Sequence, residues 1–357
     1  MAPAADHEHE HDPVAVGGLF AVAAAVAFGA TTPLIKRFGT DAGPFWTAGL
    51  LYAGATLASS VAPSRGEAAL RRAHAVRLLV VTLLGAVAAP VCLAWGLHRT
   101  SATGASLLLN FEAPFTVLLA HLLFAEPVGK RVGLALLFMA GGAALLASGQ
   151  DAAAGGRFVG WGALAVLAAS LAWAADSTLT RPLADVDPSR VVAVKSAIGA
   201  ALTAAVAWST GESFPSRAHA LALTACGAVG YGLSLRFYLL AQRRIGAART
   251  GSIFAVGPFV GAIVAWTMGG RTEGGSTLAA GLLFGVAIYL HLTERHGHGH
   301  VHDALEHDHA HRHDDGHHTH AHASTDSPGE EHSHRHRHEE MAHTHAHGAD
   351  VHHRHRH

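Results

Sequence analysis

The sequence predicts an all-α membrane protein of ten transmembrane helices, followed by a disordered histidine-rich C-terminal tail. Three observations carry this. Half of the residues are hydrophobic and only 14% are charged, whereas soluble domains average about 25% charged. Those charges collect between apolar runs or in the terminal segments. Ten apolar segments approach the roughly 20 residues that a helix needs to cross a bilayer core, where every backbone amide must be satisfied within the chain.

The N-terminal arm, residues 1–13, carries His7, Glu8, His9, Glu10, His11 and Asp12. It has neither the basic start nor the short apolar core of a cleaved signal peptide, so the first apolar run is expected to stay as a helix. Helices are predicted over 14–34, 44–61, 76–97, 102–124, 132–148, 159–180, 191–209, 218–241, 247–268 and 276–292. Only His98 to Ser101 separates the third from the fourth. Pairs such as Gly257 with Gly261 and Gly281 with Gly285 suit close helix approach in lipid, but in a chain with 40 glycines the spacing arises by chance and carries no function. From Glu294 onward the chain reads HGHGHVHD, HDHAHRHDDGHHTHAH, HSHRHRH, HTHAH and HHRHRH, separated by Asp, Glu, Ser and Gly. Such a segment buries too little apolar surface to offset its chain entropy, so disorder is expected there without a ligand.

Lysine and arginine in the short loops orient the chain. With the N-terminus cytoplasmic, 12 basic residues fall in inside loops (Arg65, Arg71, Arg72, Arg77, Lys130, Arg131, Arg181, Arg190, Lys195, Arg243, Arg244 and Arg249) against six outside (Lys36, Arg37, Arg99, Arg157, Arg217 and Arg271). Both termini are therefore expected in the cytoplasm, in a multi-pass protein of the inner (plasma) membrane. Lys36 and Arg37, directly after the first helix, dissent locally. Cys92 and Cys226 sit far apart inside apolar runs and suggest packing rather than a disulfide or a zinc ribbon. A net charge of −1 argues against nucleic-acid binding, which needs a basic face. No P-loop, GxSxG elbow or HExxH is present, which argues against an enzyme and against ATP-driven pumping.

Sliding the second half back by 144 or 145 residues gives a weak but coherent internal match. Ala27, Phe28, Gly29, Ala30 and Thr31 fall on Ala172, Trp173, Ala174, Ala175 and Asp176, with Lys36 on Arg181. Further on, Ala102 meets Gly246, Gly104 meets Ala248, Ser106 meets Thr250, and Pro114 and Phe115 meet Pro258 and Phe259. Within this pattern stand Trp95-Gly96-Leu97 leading into Thr100-Ser101-Ala102, then Leu108 to Phe115 (LLNFEAPF), then Phe124-Ala125-Glu126-Pro127 with Gly133 beyond. The second copy has Tyr238-Leu239-Leu240-Ala241 leading into Gly246-Ala247-Ala248, then Gly257-Pro258-Phe259. On these residues the chain, from about Val14 to Leu292, resembles the EamA family of the drug/metabolite transporter superfamily. The resemblance implies two five-helix repeats, placed at 14–149 and 158–293, with the tail at 294–357. It identifies the family and hardly the substrate. The chain departs from the pattern at Val256, which stands where the first copy has Glu112, and at Glu273, a displaced counterpart of the acid closing the first hairpin.

Ionisable groups within a membrane usually face a cavity or an opposite charge. Glu112 lies mid-way along the fourth helix, two residues before Pro114, whose ring frees a backbone carbonyl and kinks the helix. A carboxylate there suits a proton or a cationic substrate group; the alternative is a structural ion pair with Arg236 or Lys195. Arg236 could pair with Glu112, hold an anionic substrate group, or snorkel toward Arg243. Asp176 and Lys195, near helix ends, read first as interfacial residues, with a substrate or proton role for Asp176 as the second reading. Pro258 matches Pro114 and marks the equivalent opening. His121 reads as packed or interfacial. Trp95, Trp173 and Trp266 could line a cavity, although anchoring and packing are commoner uses.

Of the 31 histidines, 24 lie at or after His291, mostly as HxH. His298, His300, His302, His307, His309, His311, His313, His317, His318, His320 and His322 are the candidate metal ligands, since imidazole suits Zn, Ni, Co and Cu. No cofactor is required. The null role of the tail is a pH-responsive solvated spacer. Together these features lead to a secondary transporter of a small solute, directed outward, with its cavity between the repeats and a cargo linked to metal as a divalent ion or a chelator. A generic amino-acid or metabolite exporter with an accessory tail stays open, as does a non-transporting membrane-anchored metal store or sensor. The expected partners are the lipid bilayer, a small-molecule or metal substrate, and a second copy in a homodimer.

Overall fold

The computed structural model describes residues 13–60, 74–124, 130–154, 159–180, 183, 187–269 and 274–292, with the backbone of 296–302, 306–311, 332–337 and 341–347. In the first half the elements are α1 (Pro13–Phe38), α2 (Pro44–Ser60), α3 (Ala75–Thr82), a π-helical turn (Leu83–Ala88), α4 (Ala89–Leu97), α5 (Ala102–Leu108), a 3-10 turn (Leu109–Phe111), α6 (Glu112–Phe124) and α7 (Lys130–Ala154). The second half contains α8 (Val159–Thr180), α9 (Pro188–Ser209), α10 (Arg217–Gly227), a second π-helical turn (Ala228–Leu233), α11 (Ser234–Phe254), α12 (Gly257–Thr267) and α13 (Gly274–Leu292). Among the described residues six helical spans are long and apolar enough to cross a membrane, at Val16–Phe38, Ala75–Leu97, Ala102–Leu123, Gly160–Thr180, Ser189–Ser209 and Arg217–Ala241.

Local chemistry sets the helix starts. Ser101 caps α5 by accepting from the Gly104 amide at 3.0 Å, which makes the tight join at 98–101 feasible. Asp187 caps α9 through the amides of Ser189 and Arg190 at 2.9 and 3.4 Å, just ahead of Pro188 in the first turn. Pro33 lies inside α1 without ending it, as transmembrane helices tolerate when neighbouring groups re-satisfy the backbone.

Two predicted helices differ in their breaks. The segment 102–124 is divided by the 3-10 turn at Leu109–Phe111, just before Pro114. The sequence separates 218–241 from 247–268, and the chain doubles back there: helical geometry continues through α11, yet the rings of Tyr238 and Phe254 stand 5.0 Å apart, where 16 residues of straight helix would rise about 24 Å, and a further break follows at Ala255 and Val256, ahead of Pro258. The first residue that cannot continue a helix is Pro258. Both copies therefore break at the matched prolines.

The halves pack on each other. α1 lies against α11 and α12, α2 against α9, α4 and α6 against α8, α5 against α12, and α7 against α13. The shared core between them includes Leu51, Leu93, Val166, Trp173, Tyr231 and Phe284. The two glycine pairs separate in use: a side chain at Gly257 or Gly261 would press on the α1 carbonyls of Ala25 or Gly29, whereas one at Gly281 or Gly285 would meet nothing within 4 Å.

In the tail, β1 (His296–His302) pairs antiparallel with β4 (Met341–His347), and β2 (Glu306–His311) with β3 (His332–Arg337). The strict HxH alternation has the period of a strand. The side chains of the tail histidines, and all of His313, His317, His318, His320 and His322, lie outside the described residues, as does the N-terminal arm 1–12.

Candidate functional site

Among the described residues two of the three buried charges, Asp176 and Lys195, meet where α8 and α9 face the first π-helical turn; the third, Asp187, caps α9. Asp176 and Lys195 form a direct ion pair, Lys195 Nζ donating to Asp176 Oδ2, with side chains only 10% and 9% exposed. Thr180, one turn along α8, donates to Asp176 Oδ1 at 3.3 Å. A buried pair of this kind survives only if its remaining hydrogen-bonding capacity is met. The interfacial reading of both residues is thus corrected: sequence position near a helix end did not reveal that α8 and α9 turn these side chains toward each other.

A π-helical turn carries one extra residue per turn and shifts the backbone register. In the first such turn the Ala89 amide donates to Leu84 O, five residues back. The carbonyl of Gly85 then accepts two side-chain donors, the hydroxyl of Tyr52 from α2 and Trp173 Nε1 from α8 at 3.0 Å. Glycine is required here for space. Any Cβ at position 85 would overlap the Asp176 carboxylate and lie 2.8 Å from Lys195 Nζ.

Glu112 opens α6 immediately after the 3-10 turn. The charges acting on it are those of Asp176 and Lys195, and it in turn lies within electrostatic reach of Tyr52 and Tyr231. Part of its surface stays accessible. Of the two ion-pair partners that the sequence left open, the structure brings Lys195 into reach. Arg236, on α11, is partly buried and lies outside that set. Pro114 and Pro258 are buried in the first turns of α6 and α12, where a proline costs no helical hydrogen bond.

Aromatic rings wall the same region. Phe28 meets Trp173 and Tyr231 edge-on at 5.8 Å each and Phe254 at 5.4 Å, while Tyr231 lies 5.5 Å from Tyr52 and 6.1 Å from Trp173. Of the three tryptophans singled out from the sequence, only Trp173 belongs here. Trp95 stacks on the Arg99 guanidinium at 3.7 Å, and Trp266 is 60% exposed on α12. His121 is exposed on α6. Sequence reasoning missed Tyr52, Tyr231, Phe28, Phe254 and Gly85. Phe28 was within reach, because the repeat already aligned it with Trp173.

The two π-helical turns, Leu83–Ala88 and Ala228–Leu233, start 145 residues apart, the offset of the sequence repeat. Their surroundings correspond as well. Gly85 of the first copy faces Asp176 of the second, and Gly230 of the second faces Thr31 of the first, the residue that aligns with Asp176.

The profile of a family described as the EamA-like transporter family matches residues 15–148 and 160–293. An "Uncharacterized transporter" of Methanothermobacter thermautotrophicus is 31% identical over 205 residues, covering 56% of this chain and 59% of that protein. The match thus spans less than two thirds of the relative's length. A solved crystal structure, titled only as that of a protein, aligns with a TM-score of 0.59 at 21% identity over 79% of this chain and 98% of its own, a likeness of fold.

Proposed function

The chain belongs to the EamA-like transporter family, a family of transporters and not of enzymes, and we propose that it is a membrane transporter that exports a small organic solute bearing an ammonium group. The observation that carries this is the placement of the Glu112 carboxylate opposite the Asp176 and Lys195 pair inside an aromatic wall. With all three ionised the cluster is net −1. Aromatic faces add attraction for a cation, and Lys195 offers a donor to a solute carboxylate, so an amino acid or related zwitterion suits both ends.

In this reading the chain crosses the membrane ten times as two five-helix repeats. Five is odd, so the second repeat enters from the opposite side and the copies are inverted, the arrangement that supports alternating access around a shared midplane site. Glu112 takes up the solute's ammonium group or a proton in alternation, and Asp176 holds Lys195 when the site is empty. The helix breaks ahead of Pro114 and Pro258 supply the flexible points. The basic-residue bias supports cytoplasmic termini, which puts the loading side and the histidine tail on one face, and hence supports the outward direction.

A second reading is favoured by the tail alone, whose HxH pattern from His298 to His322 suits Zn, Ni, Co or Cu. It makes the cargo metal-linked. Described residues of the central site supply carboxylates and an ammonium group, with no imidazole and a single buried thiol, Cys226, near Tyr231, a set that supports the organic cargo for the site and leaves the tail as a metal buffer or sensor.

The test uses cells expressing the intact protein, Glu112→Gln, or a chain truncated after Glu294, loaded with a labelled amino-acid mixture and separately stressed with zinc, nickel and cobalt. Faster loss of label with the intact and truncated chains, abolished by Glu112→Gln, supports the organic cargo. A change in metal content that Glu112→Gln removes makes the cargo metal-linked. No change in either sinks the transport site.

A further inference from the structure

The connection between α1 and α2 and the connection between α9 and α10 belong to different repeats, yet they are joined more extensively than any other pair of loops among the described residues. Glu212 reaches across from the second repeat to the start of α2. Its Oε2 accepts from the amides of Phe45 and Trp46 at 3.0 and 3.1 Å, so a carboxylate of one repeat caps a helix of the other. Trp46 returns the contact, its Nε1 donating to Glu212 O at 3.2 Å and its ring meeting Phe214 edge-on at 4.8 Å.

Asp41 mirrors this from the first repeat. Its Oδ2 accepts from the Ser216 amide at 3.0 Å, its Oδ1 meets His219 Nδ1 at 2.7 Å, and Ser213 Oγ donates to its carbonyl at 3.4 Å. Phe38, the last residue of α1, lies 5.8 Å from the His219 ring. Nearby, Lys36 Nζ donates to the carbonyls of Leu97 and Thr100 at 2.5 and 2.6 Å, tying the end of α1 to the end of α4.

We propose that these two loops form an extracytoplasmic gate whose bolt is Glu212 on the α2 N-terminus, braced by Asp41 with Ser216 and His219, and that it must open to release solute from the central site. The proposal rests on the transport reading. Every bond in the gate runs between repeats, so rocking one repeat against the other breaks them together. They sit on groups that are partly exposed, with Asp41 and His219 side chains 40% and 34% accessible, so water replaces them readily and the gate holds without locking. A purely structural seam would instead be buried, as the contact of α2 with α9 beneath it is.

The bolt can be made covalent. A Cβ at Gly43 would lie 2.7 Å from Glu212 Cγ, so the two Cβ atoms are no farther apart than about one C–C bond more, within the roughly 4.5 Å upper limit for a disulfide. In full-length protein with Cys92→Ala and Cys226→Ala, Gly43→Cys with Glu212→Cys forms a disulfide on mild oxidation. Efflux of the labelled amino-acid mixture then stops and returns with reductant. Conversely, with Thr31→Cys as reporter in that background, Glu212→Ala with Asp41→Asn raises the rate at which an impermeant maleimide added outside modifies the reporter. Loss of these two partly exposed, hydrogen-bonded carboxylates corresponds to a rise of at least about tenfold. Absence of the disulfide, or efflux and labelling that ignore both lock and bolt, overturns the gate. Labelling that follows lock and bolt in a protein exporting no amino acid keeps the gate and removes the proposed cargo.

Discussion

The two π-helical turns share a backbone and differ in chemistry. At Gly85 the facing residues are Asp176 and Lys195, an ion pair, with Trp173 donating to the glycine carbonyl. At Gly230 the facing residue is Thr31, whose hydroxyl is satisfied by Phe28 O at 2.6 Å within its own helix, and Leu50 stands where the repeat offset places Lys195. Glu112 is likewise matched by Val256. The duplicated scaffold has kept its register shifts and helix breaks in both copies, while the charges, drawn from both copies, stand around only one of the two π-helical turns. Where a buried group costs little it can be repeated. A buried ion pair is expensive to maintain, and a single binding site needs only one.

This difference orders the expected effects. Gly85→Val is the most severe, because its side chain would occupy the space of the Asp176 carboxylate and the Lys195 amine together; protein yield in membranes and efflux should both be lost. Lys195→Met should come next. It strands a buried carboxylate at a cost of about 3–5 kcal/mol, and the double variant Lys195→Met with Asp176→Asn should regain much of the thermal stability without regaining efflux. If the double variant is no more stable than the single, the pair is not the source of the loss. At the quiet position Gly230→Ala should be milder, about 1–3 kcal/mol, since the added methyl presses on the short, uncharged Thr31 side chain and not on a buried ion pair. Equal loss of melting temperature for alanine at 85 and 230 would remove the asymmetry.

The gate supplies the smallest effect and the one that responds to pH. Asp41 is held below the usual carboxylate range, first by the Ser216 amide and then by His219. A carboxyl with a lowered pKa contributes its full share above the ordinary value and loses it as pH falls through the lowered one. Maleimide labelling of the Thr31→Cys reporter from outside should therefore rise only on the acid side of the carboxylate range, and Asp41→Asn should flatten that rise. A rise that Asp41→Asn leaves in place would assign it to another group.

Much of the fold was legible because the bilayer imposes one simple rule, a run of apolar residues per crossing, and the repeat was visible as an offset that the π-helical turns later matched. The breaks were legible too: Pro114 and Pro258 marked them, and Arg243 and Arg244 marked the stretch in which the chain doubles back to bring Phe254 against Tyr238. Of the site, Glu112 and Asp176 could be named because carboxylates are rare in such runs. Tyr52, Tyr231 and Phe254 could not, since an aromatic in an apolar helix has no distinguishing mark until packing shows which way it faces. Lys195 was visible but misplaced, because its distance from a helix start says nothing of the residue opposite. The latch was invisible, because Asp41 and Glu212 are ordinary loop acids 171 positions apart.

The account stands most directly on Glu112. Efflux of the labelled amino-acid mixture should be measured in vesicles containing equal amounts of the intact protein and of Glu112→Gln, a substitution that keeps the shape and removes the charge. The account predicts efflux from the intact protein and a loss of at least about tenfold in the variant, the scale of one charge-assisted hydrogen bond. Equal efflux from both would mean that the carboxylate opposite Asp176 and Lys195 takes no part in moving the solute.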